Sequence, residues 1–163
     1  MRFVKLIKTN VLSSIFNLIF AATLVVALNT LPALAGNIDN VGAAAIEQIN
    51  GLRARKGSAA LRISKKLTEA AANHAQDMVQ NELFSHTGSN GSSMGDRIRA
   101  QNYGFCMASE NIAKGQRSLN AVLESWMSSK GHRRNLLNPG VTEFGLVRGS
   151  GNLWVMVLGR PGC

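Results

Sequence analysis

Two apolar, β-branched segments near the C-terminal end constrain the fold of this chain most strongly. They cover residues 142–147 and 153–158 and are separated by the five-residue sequence RGSGN at 148–152. Apolar runs on either side of a short glycine-containing link are typical of a β-hairpin. We therefore expect two antiparallel strands joined by a five-residue loop.

Helical periodicity dominates the chain before this hairpin. Apolar residues recur at spacings of three and four over residues 40–56, from Ser64 as far as the NELF sequence, and over residues 118–128. Residues 94–101 and the KGHRRNLLNPG sequence predict two shorter helices, and residues 103–113 predict an extended segment. Because helices come first and paired strands last, we expect an α+β domain whose antiparallel sheet is covered by helices.

The N-terminal segment has the composition of a secretory signal peptide. The first eight residues contain three basic side chains, a mostly apolar stretch covers residues 11–28, and the small-residue pattern PALA ends at Ala35. An uncleaved membrane anchor is the alternative, since the apolar stretch approaches the length of a short membrane span. We expect residues 1–35 to be removed. Residues 36–163 then remain as one domain, secreted to the extracellular space or the periplasm, with no stable membrane span.

The chain is basic, with 18 Lys and Arg residues against 9 Asp and Glu residues and a formal net charge of +9 at pH 7. Such a surface favours anionic partners such as acidic polysaccharide or phospholipid headgroups, and charge alone would also admit nucleic acid. The basic residues are scattered, however, and the short runs at 53–56 and 65–66 have no interleaved aromatic residues for base stacking. We therefore interpret the charge as a solvated exterior and expect no nucleic-acid partner.

The chain has two cysteines, Cys106 and Cys163, and export would place both in a compartment that permits oxidation. We predict that they form a disulfide. This bond would hold the C-terminal residue to the middle of the chain. Closing the loop between Cys106 and Cys163 contributes roughly 4 kcal/mol to the free energy of unfolding in the chain-entropy model.

Three histidines occur in different sequence contexts. His74 lies on the apolar face of the second predicted helix, where we expect a packed, hydrogen-bonded side chain. His86 begins a glycine-rich loop, His132 follows a glycine, and Glu110 lies between small and apolar neighbours on the predicted extended segment. Two imidazoles and a carboxylate suit a divalent ion such as zinc, or acid–base chemistry, although their spacing alone is not diagnostic.

Five motifs in the sequence are more diagnostic than the spacing of the histidines and the glutamate. In order along the chain they are HAQDM, FSHTGSNG, SENIA, ESWMSSKGHRRNLLNP and TEFGLV. This set resembles a secreted bacterial member of the CAP superfamily, which includes cysteine-rich secretory proteins, antigen 5 and plant pathogenesis-related class 1 proteins. The resemblance covers residues 42–159 and implies a three-layer α-β-α sandwich with an antiparallel sheet.

The resemblance also implies a shallow cleft lined by two histidines and two acidic residues, which holds a divalent ion in some members. In this sequence the histidines correspond to His86 and His132, and one acidic residue corresponds to Glu110. The second acidic residue of many eukaryotic members falls near Ser128 or Ser129. The chain departs from the pattern there, so at most three metal ligands remain and a divalent ion should bind more weakly.

Other residues are candidates for completing or supporting this cleft. Glu124 lies one helical turn before the missing acidic position and is our candidate for replacing it. Ser85, Asn111 and the backbone of Gly131 are candidates for fixing the second ring nitrogen of a site imidazole. We expect Trp126 to pack in the core beneath the cleft.

We interpret the protein as a secreted, non-catalytic binding module and expect a monomer. The ligand would be a lipid, a sterol-like or other small hydrophobic molecule, an extracellular protein or a polysaccharide, held in or beside the cleft of His86, Glu110 and His132. This interpretation rests on the range of binding activities in the family and on the lack of an activated nucleophile, since the one Gly-x-Ser-x-Gly spacing in the sequence, GSSMG at 91–95, follows a polar loop and not a predicted strand.

Two other functions compete with binding. In a hydrolase, one histidine would act as general base, Glu110 would orient it, and a metal ion or Ser85 would complete the site. Alternatively, the exported protein is purely structural or faces an immune system, and its histidines only link loops by hydrogen bonds.

Overall fold

The structure is a computed structural model that describes residues 36–162. These residues form one compact unit. The predicted signal peptide and Cys163 of the predicted disulfide lie outside the described residues, so both remain predictions. Among residues 36–162, no helix combines the length and the apolar character that a membrane span requires.

The described residues contain five α-helices and five strands. The helices are α1 (Gly42–Ala54), α2 (Lys65–Gln80), α3 (Met94–Ala100), α4 (Leu119–Ser128) and α5 (Lys130–Leu136). The strands are β1 (Ile38–Asn40), β2 (Arg62–Ile63), β3 (Phe105–Lys114), β4 (Glu143–Gly149) and β5 (Leu153–Pro161). Within the sheet the order is β1, β4, β5, β3, and β2 pairs parallel to β4.

The C-terminal hairpin forms as predicted, but its loop is shorter than the sequence suggested. Arg148 and Gly149 continue the antiparallel pairing opposite Trp154 and Leu153, so the predicted five-residue loop was wrong. Only Ser150–Asn152 connects the strands, as one short 3₁₀ turn. A turn this tight needs left-handed backbone, which Gly151 adopts at φ 70° and Asn152 at φ 56°.

The sheet separates two apolar cores. On one face α1, α4 and α5 pack against Trp154, Met156 and Leu158 of β5, whereas α2 and α3 cover Val155 and Val157 on the opposite face. Alternate residues of a strand point to opposite faces, so one continuous apolar strand serves both cores. The architecture is therefore the α-β-α sandwich that the resemblance implied.

Helix α2 lies unusually close to the sheet at Gly145 of β4. A Cβ atom built on Gly145 would be 2.2 Å from the backbone nitrogen of Thr68. The start of α2 is fixed by Ser64, whose side chain accepts from Leu67 N and whose backbone N–H donates to Phe144 O at 2.8 Å. This close contact fixes the depth of the helix that carries His74.

Candidate functional site

The predicted site lies over β3, which is at one edge of the sheet. In β3, the backbone carbonyl groups of Glu110 and Ile112 do not pair with another strand. They accept instead from Asn135 Nδ2 at 3.2 Å and from the buried Trp126 Nε1 at 3.4 Å. The expectation that Trp126 packs beneath the site is confirmed, since its side chain is fully buried. These two side-chain hydrogen bonds cover the free edge of β3 and hold α4 and α5 against it.

Glu110 is the buried centre of the site, with its side chain 2% exposed. Its Oε1 accepts from His86 Nδ1 at 2.8 Å, and its Oε2 accepts from Arg97 Nη2 at 2.9 Å. The His74 Nε2 atom lies 3.8 Å from Oε1. Both carboxylate oxygens are therefore engaged, and the negative charge is balanced by the guanidinium group.

Arg97 was not singled out in the sequence, yet it is the only permanent cation bonded to Glu110 among residues 36–162. It also donates to His86 O at 3.0 Å and to Ser92 O at 2.9 Å, and its side chain is 9% exposed. Helix α3 positions it, because Ser93 and Asp96 form a capping box at the helix start. An arginine on a short helix ordinarily indicates surface charge, so no local sequence signal reveals this role.

His74 supports the loop that carries His86. Its side chain is fully buried, as expected for a packed histidine, and its Nε2 donates to Ser85 O at 2.8 Å. Burial lowers the pKa of His74, Glu110 opposes this shift, and Arg97 adds to the lowering. The imidazole is therefore neutral near pH 7, and its Nδ1 is buried without a hydrogen-bond partner among the described residues.

His86 is the exposed member of the site, with its side chain 56% exposed. A carboxylate only accepts hydrogen bonds, so the contact with Glu110 requires the proton of a neutral His86 to reside on Nδ1. This tautomer leaves Nε2 as an acceptor. A carboxylate that fixes an imidazole in this way is a common feature of bases and of metal-binding histidines.

His132 lies across the edge of the sheet on α5. Asn111 Nδ2 donates to His132 O at 3.0 Å, and Asn135 Nδ2 donates to Asn111 Oδ1 at 2.9 Å. Burial lowers the pKa of His132, and the charge of His86 lowers it further. The two histidines are attached to adjacent residues of β3: the His86 ring is bonded to the Glu110 carboxylate, and the His132 backbone is bonded to Asn111. Asn111 supports that site through the helix backbone, with no hydrogen bond to an imidazole ring among the described residues.

The remaining candidates lie in two different places. Ser85 is in the site loop, where its carbonyl accepts from His74 and its Oγ accepts from Thr87 N at 3.0 Å. Glu124 is exposed on α4 and lines a groove between α4 and α1. The structure therefore does not bring the Glu124 side chain together with the carboxylate of Glu110.

A divalent ion does not fit the donor set in this arrangement. Glu110 directs one oxygen to His86 and the other to the Arg97 cation, whose charge it already balances, so the two imidazoles are the remaining donors. Catalytic zinc sites use three protein ligands. Among residues 36–162, the His, Cys, Asp and Glu side chains form no group of three or more that could hold a metal ion.

A second concave feature, which we call the α1–α4 groove, has a volume of about 540 Å³. Apolar side chains from both helices line it, and three charged residues contribute to its surface. The lining residues are Glu47, Gln48, Gly51, Leu52, Arg55, Asn120, Leu123, Glu124 and Met127.

The sandwich and the histidine–glutamate site at its edge define the class of this protein as a CAP domain. The model of the CAP family, described as the cysteine-rich secretory protein family, matches residues 46–157. The chain belongs to this family.

Bacterial proteins are among its similar sequences and structures. The uncharacterized protein YkwD of Bacillus subtilis (strain 168) is 32% identical over 127 residues, which is 77% of this chain and 49% of YkwD. The uncharacterized membrane protein YlbC of the same strain is 35% identical over 101 residues, covering 62% of this chain and 29% of YlbC. The chain thus spans less than half the length of these curated relatives.

Two solved structures share the fold. An extracellular protein containing a SCP domain from Bacillus anthracis str. Ames superposes with a TM-score of 0.66 at 31% identity, covering 72% of this chain and 41% of that protein. An outer surface protein from Borrelia burgdorferi superposes with a TM-score of 0.69 at 23% identity, covering 78% of this chain and 99% of that protein. The second likeness concerns the fold alone.

Proposed function

We propose that the protein is an exported, non-catalytic binding protein that holds a small apolar ligand in the α1–α4 groove. The observation that carries this proposal is the groove itself. Its volume of about 540 Å³ is within the range of small-molecule sites. Leu52, Leu123 and Met127 provide apolar contact, and charged groups such as Arg55 and Glu124 can orient a polar end.

The histidine site is less suited to an apolar ligand than this groove. Glu110, Arg97 and His86 satisfy one another by charge-assisted hydrogen bonds, and an apolar molecule there would cover polar groups without replacing their contacts with water. Ser85 is committed to its own loop through His74 and Thr87. Export is supported by the signal-like segment and by the description of the Bacillus anthracis protein as extracellular.

A substitution at Gly51 that fills the α1–α4 groove tests this proposal. A Cβ atom on Gly51 would be 3.6 Å from Arg55 Nη1, an ordinary contact, so a larger side chain can enter the groove from α1. Gly51→Leu should weaken binding of a fluorescent fatty-acid analogue roughly tenfold or more, because it occupies the ligand's volume. Fluorescence titration measures the dissociation constant.

The matched control is Gly51→Ala, which adds one methyl group and leaves most of the groove open. It should retain ligand affinity and stabilise α1 by about 0.5–1 kcal/mol, because alanine favours helix over glycine. No saturable binding by the unmodified protein, or equal affinity in both variants, would contradict the α1–α4 groove as the site.

A hydrolase is the second candidate, because the His86–Glu110 contact at 2.8 Å resembles a general base and the group that orients it. In such an enzyme, His86 Nε2 would take a proton from an attacking water. Under the binding proposal, neither the unmodified protein nor His86→Ala should cleave a broad peptide and ester library. Cleavage that is lost in a folded His86→Ala protein would instead favour the hydrolase.

A further inference from the structure

Helix α5 concentrates three basic side chains on its exposed surface. Lys130, Arg133 and Arg134 are all exposed on this helix. Residues 125–142 contain no aspartate or glutamate. Within residues 36–162, none of the three cations forms an ion pair. Arg133 only donates to Met127 O at 2.9 Å.

The nearest carboxylates in the sequence are used elsewhere and do not neutralise this surface. Glu110 is balanced by Arg97. Glu124 lines the α1–α4 groove, and Glu143 accepts from Tyr103 and pairs with Arg62. Among the described residues, no ion pair therefore offsets the positive charges of Lys130, Arg133 and Arg134.

The cationic helix is also held rigidly. Arg53, which is fully buried, donates from Nη1 to Leu136 O at 2.8 Å and to Asn138 O at 3.0 Å. Asn111 and Asn135 fix the other side of the helix to β3. A surface whose backbone is already ordered loses less conformational entropy when it binds a partner.

We infer that the exposed face of α5 binds a water-soluble anionic polymer that carries phosphate or carboxylate groups. Its exposed positions are Lys130, Gly131, Arg133 and Arg134, so it offers charge but no apolar side chain for insertion into a bilayer. It also has no aromatic side chain on which nucleic-acid bases could stack. An acidic glycopolymer is therefore the partner that this surface fits.

This inference does not depend on the proposed function. The α1–α4 groove contains none of Lys130, Arg133 and Arg134, so an apolar ligand and an anionic polymer would bind at different places. Gly51→Leu should leave polymer binding unchanged. Failure of one proposal can therefore be distinguished from failure of the other.

The test reverses two charges on α5 in the purified protein. Lys130→Glu with Arg134→Glu avoids Arg133, whose hydrogen bond to Met127 O joins α5 to α4. The probes are inorganic polyphosphate and polygalacturonate, which separate phosphate from carboxylate chemistry. We expect the double variant to bind its polymer roughly tenfold or more weakly and with a smaller dependence on salt, as for other multivalent charge contacts.

The matched control is Lys65→Glu with Arg117→Glu, which changes the net charge equally at exposed positions in α2 and in the loop before α4. It should retain affinity within about threefold, because screening confines the effect of a distant surface charge. Equal loss in both variants, or no binding of either polymer by the unmodified protein, would overturn the inference. Stronger binding to phosphatidylglycerol vesicles, lost only in the α5 variant, would also overturn it in favour of a membrane partner.

Discussion

Gly145→Ala is expected to destabilise the protein by roughly 3 kcal/mol or more, because it overpacks the contact between α2 and the sheet. The added Cβ would lie 2.2 Å from Thr68 N and 2.4 Å from Leu67 C. Both are backbone atoms, so no rotamer change relieves the contact. The helix must move away from β4, which loosens the packing of Leu67 and Val147 on the same face. Urea unfolding monitored by tryptophan fluorescence measures the loss.

Gly131→Ala is the matched control for this substitution. Gly131 lies in α5, and a Cβ atom there meets no heavy atom within 4 Å. We expect a change within about 1 kcal/mol, in the stabilising direction, because alanine favours helix. Similar free energies of unfolding for the two variants would show that α2 does not depend on glycine at position 145.

Arg97→Met should be the second substitution with a large effect. It leaves the carboxylate of Glu110 buried without its permanent counter-charge, and breaking a buried ion pair from one side costs about 3–5 kcal/mol. The hydrogen bonds to His86 O and Ser92 O disappear as well, so the loop that carries His86 should loosen. Thermal and urea unfolding measure the first effect, and hydrogen exchange of the loop measures the second.

Arg99→Met on the same helix is the control for Arg97. Its ion pair with Asp96 is exposed, with side-chain exposures of 64% and 60%, so we expect a loss below about 1 kcal/mol. Hydrogen exchange of the loop that carries His86 gives an independent readout, because Arg97 donates to His86 O and Ser92 O, whereas Arg99 donates to neither, so only Arg97→Met should lower the protection of this loop. Equal stability of Arg97→Met and Arg99→Met would contradict the role assigned to Arg97.

The positive charge beside the site carboxylate thus comes from an arginine side chain, whereas the resemblance implied a divalent ion. The sequence suggested a weakened metal site with one carboxylate missing and Glu124 as its substitute. The structure places Glu124 at the α1–α4 groove and pairs Glu110 with a side-chain cation. A guanidinium group on a folded helix does not depend on metal supply, and its charge persists throughout the physiological pH range.

Much of the fold could be predicted because it depends on short-range patterns. The spacing of apolar residues located α1, α2 and α4 to within a few positions, the two short helices were also expected near their observed positions, and the cap at Ser64 marked the start of α2. The strands β1 and β2 were missed. They contain three and two residues, too few to show periodicity, and they exist only because β4 provides their hydrogen-bond partners.

The sequence by itself determined the family, the order of the five helices and of the three long strands, and the choice of His86, Glu110 and His132 as candidate site residues. Only the tertiary structure decided which groups meet. Arg97 reaches Glu110 across 13 positions, and Arg53 reaches Leu136 across 83. The spacing of apolar residues shows which face of one helix or strand is buried, whereas such contacts depend on how two elements pack together. The partner of the site carboxylate, the α1–α4 groove and the rigid cationic face of α5 all arise from that docking.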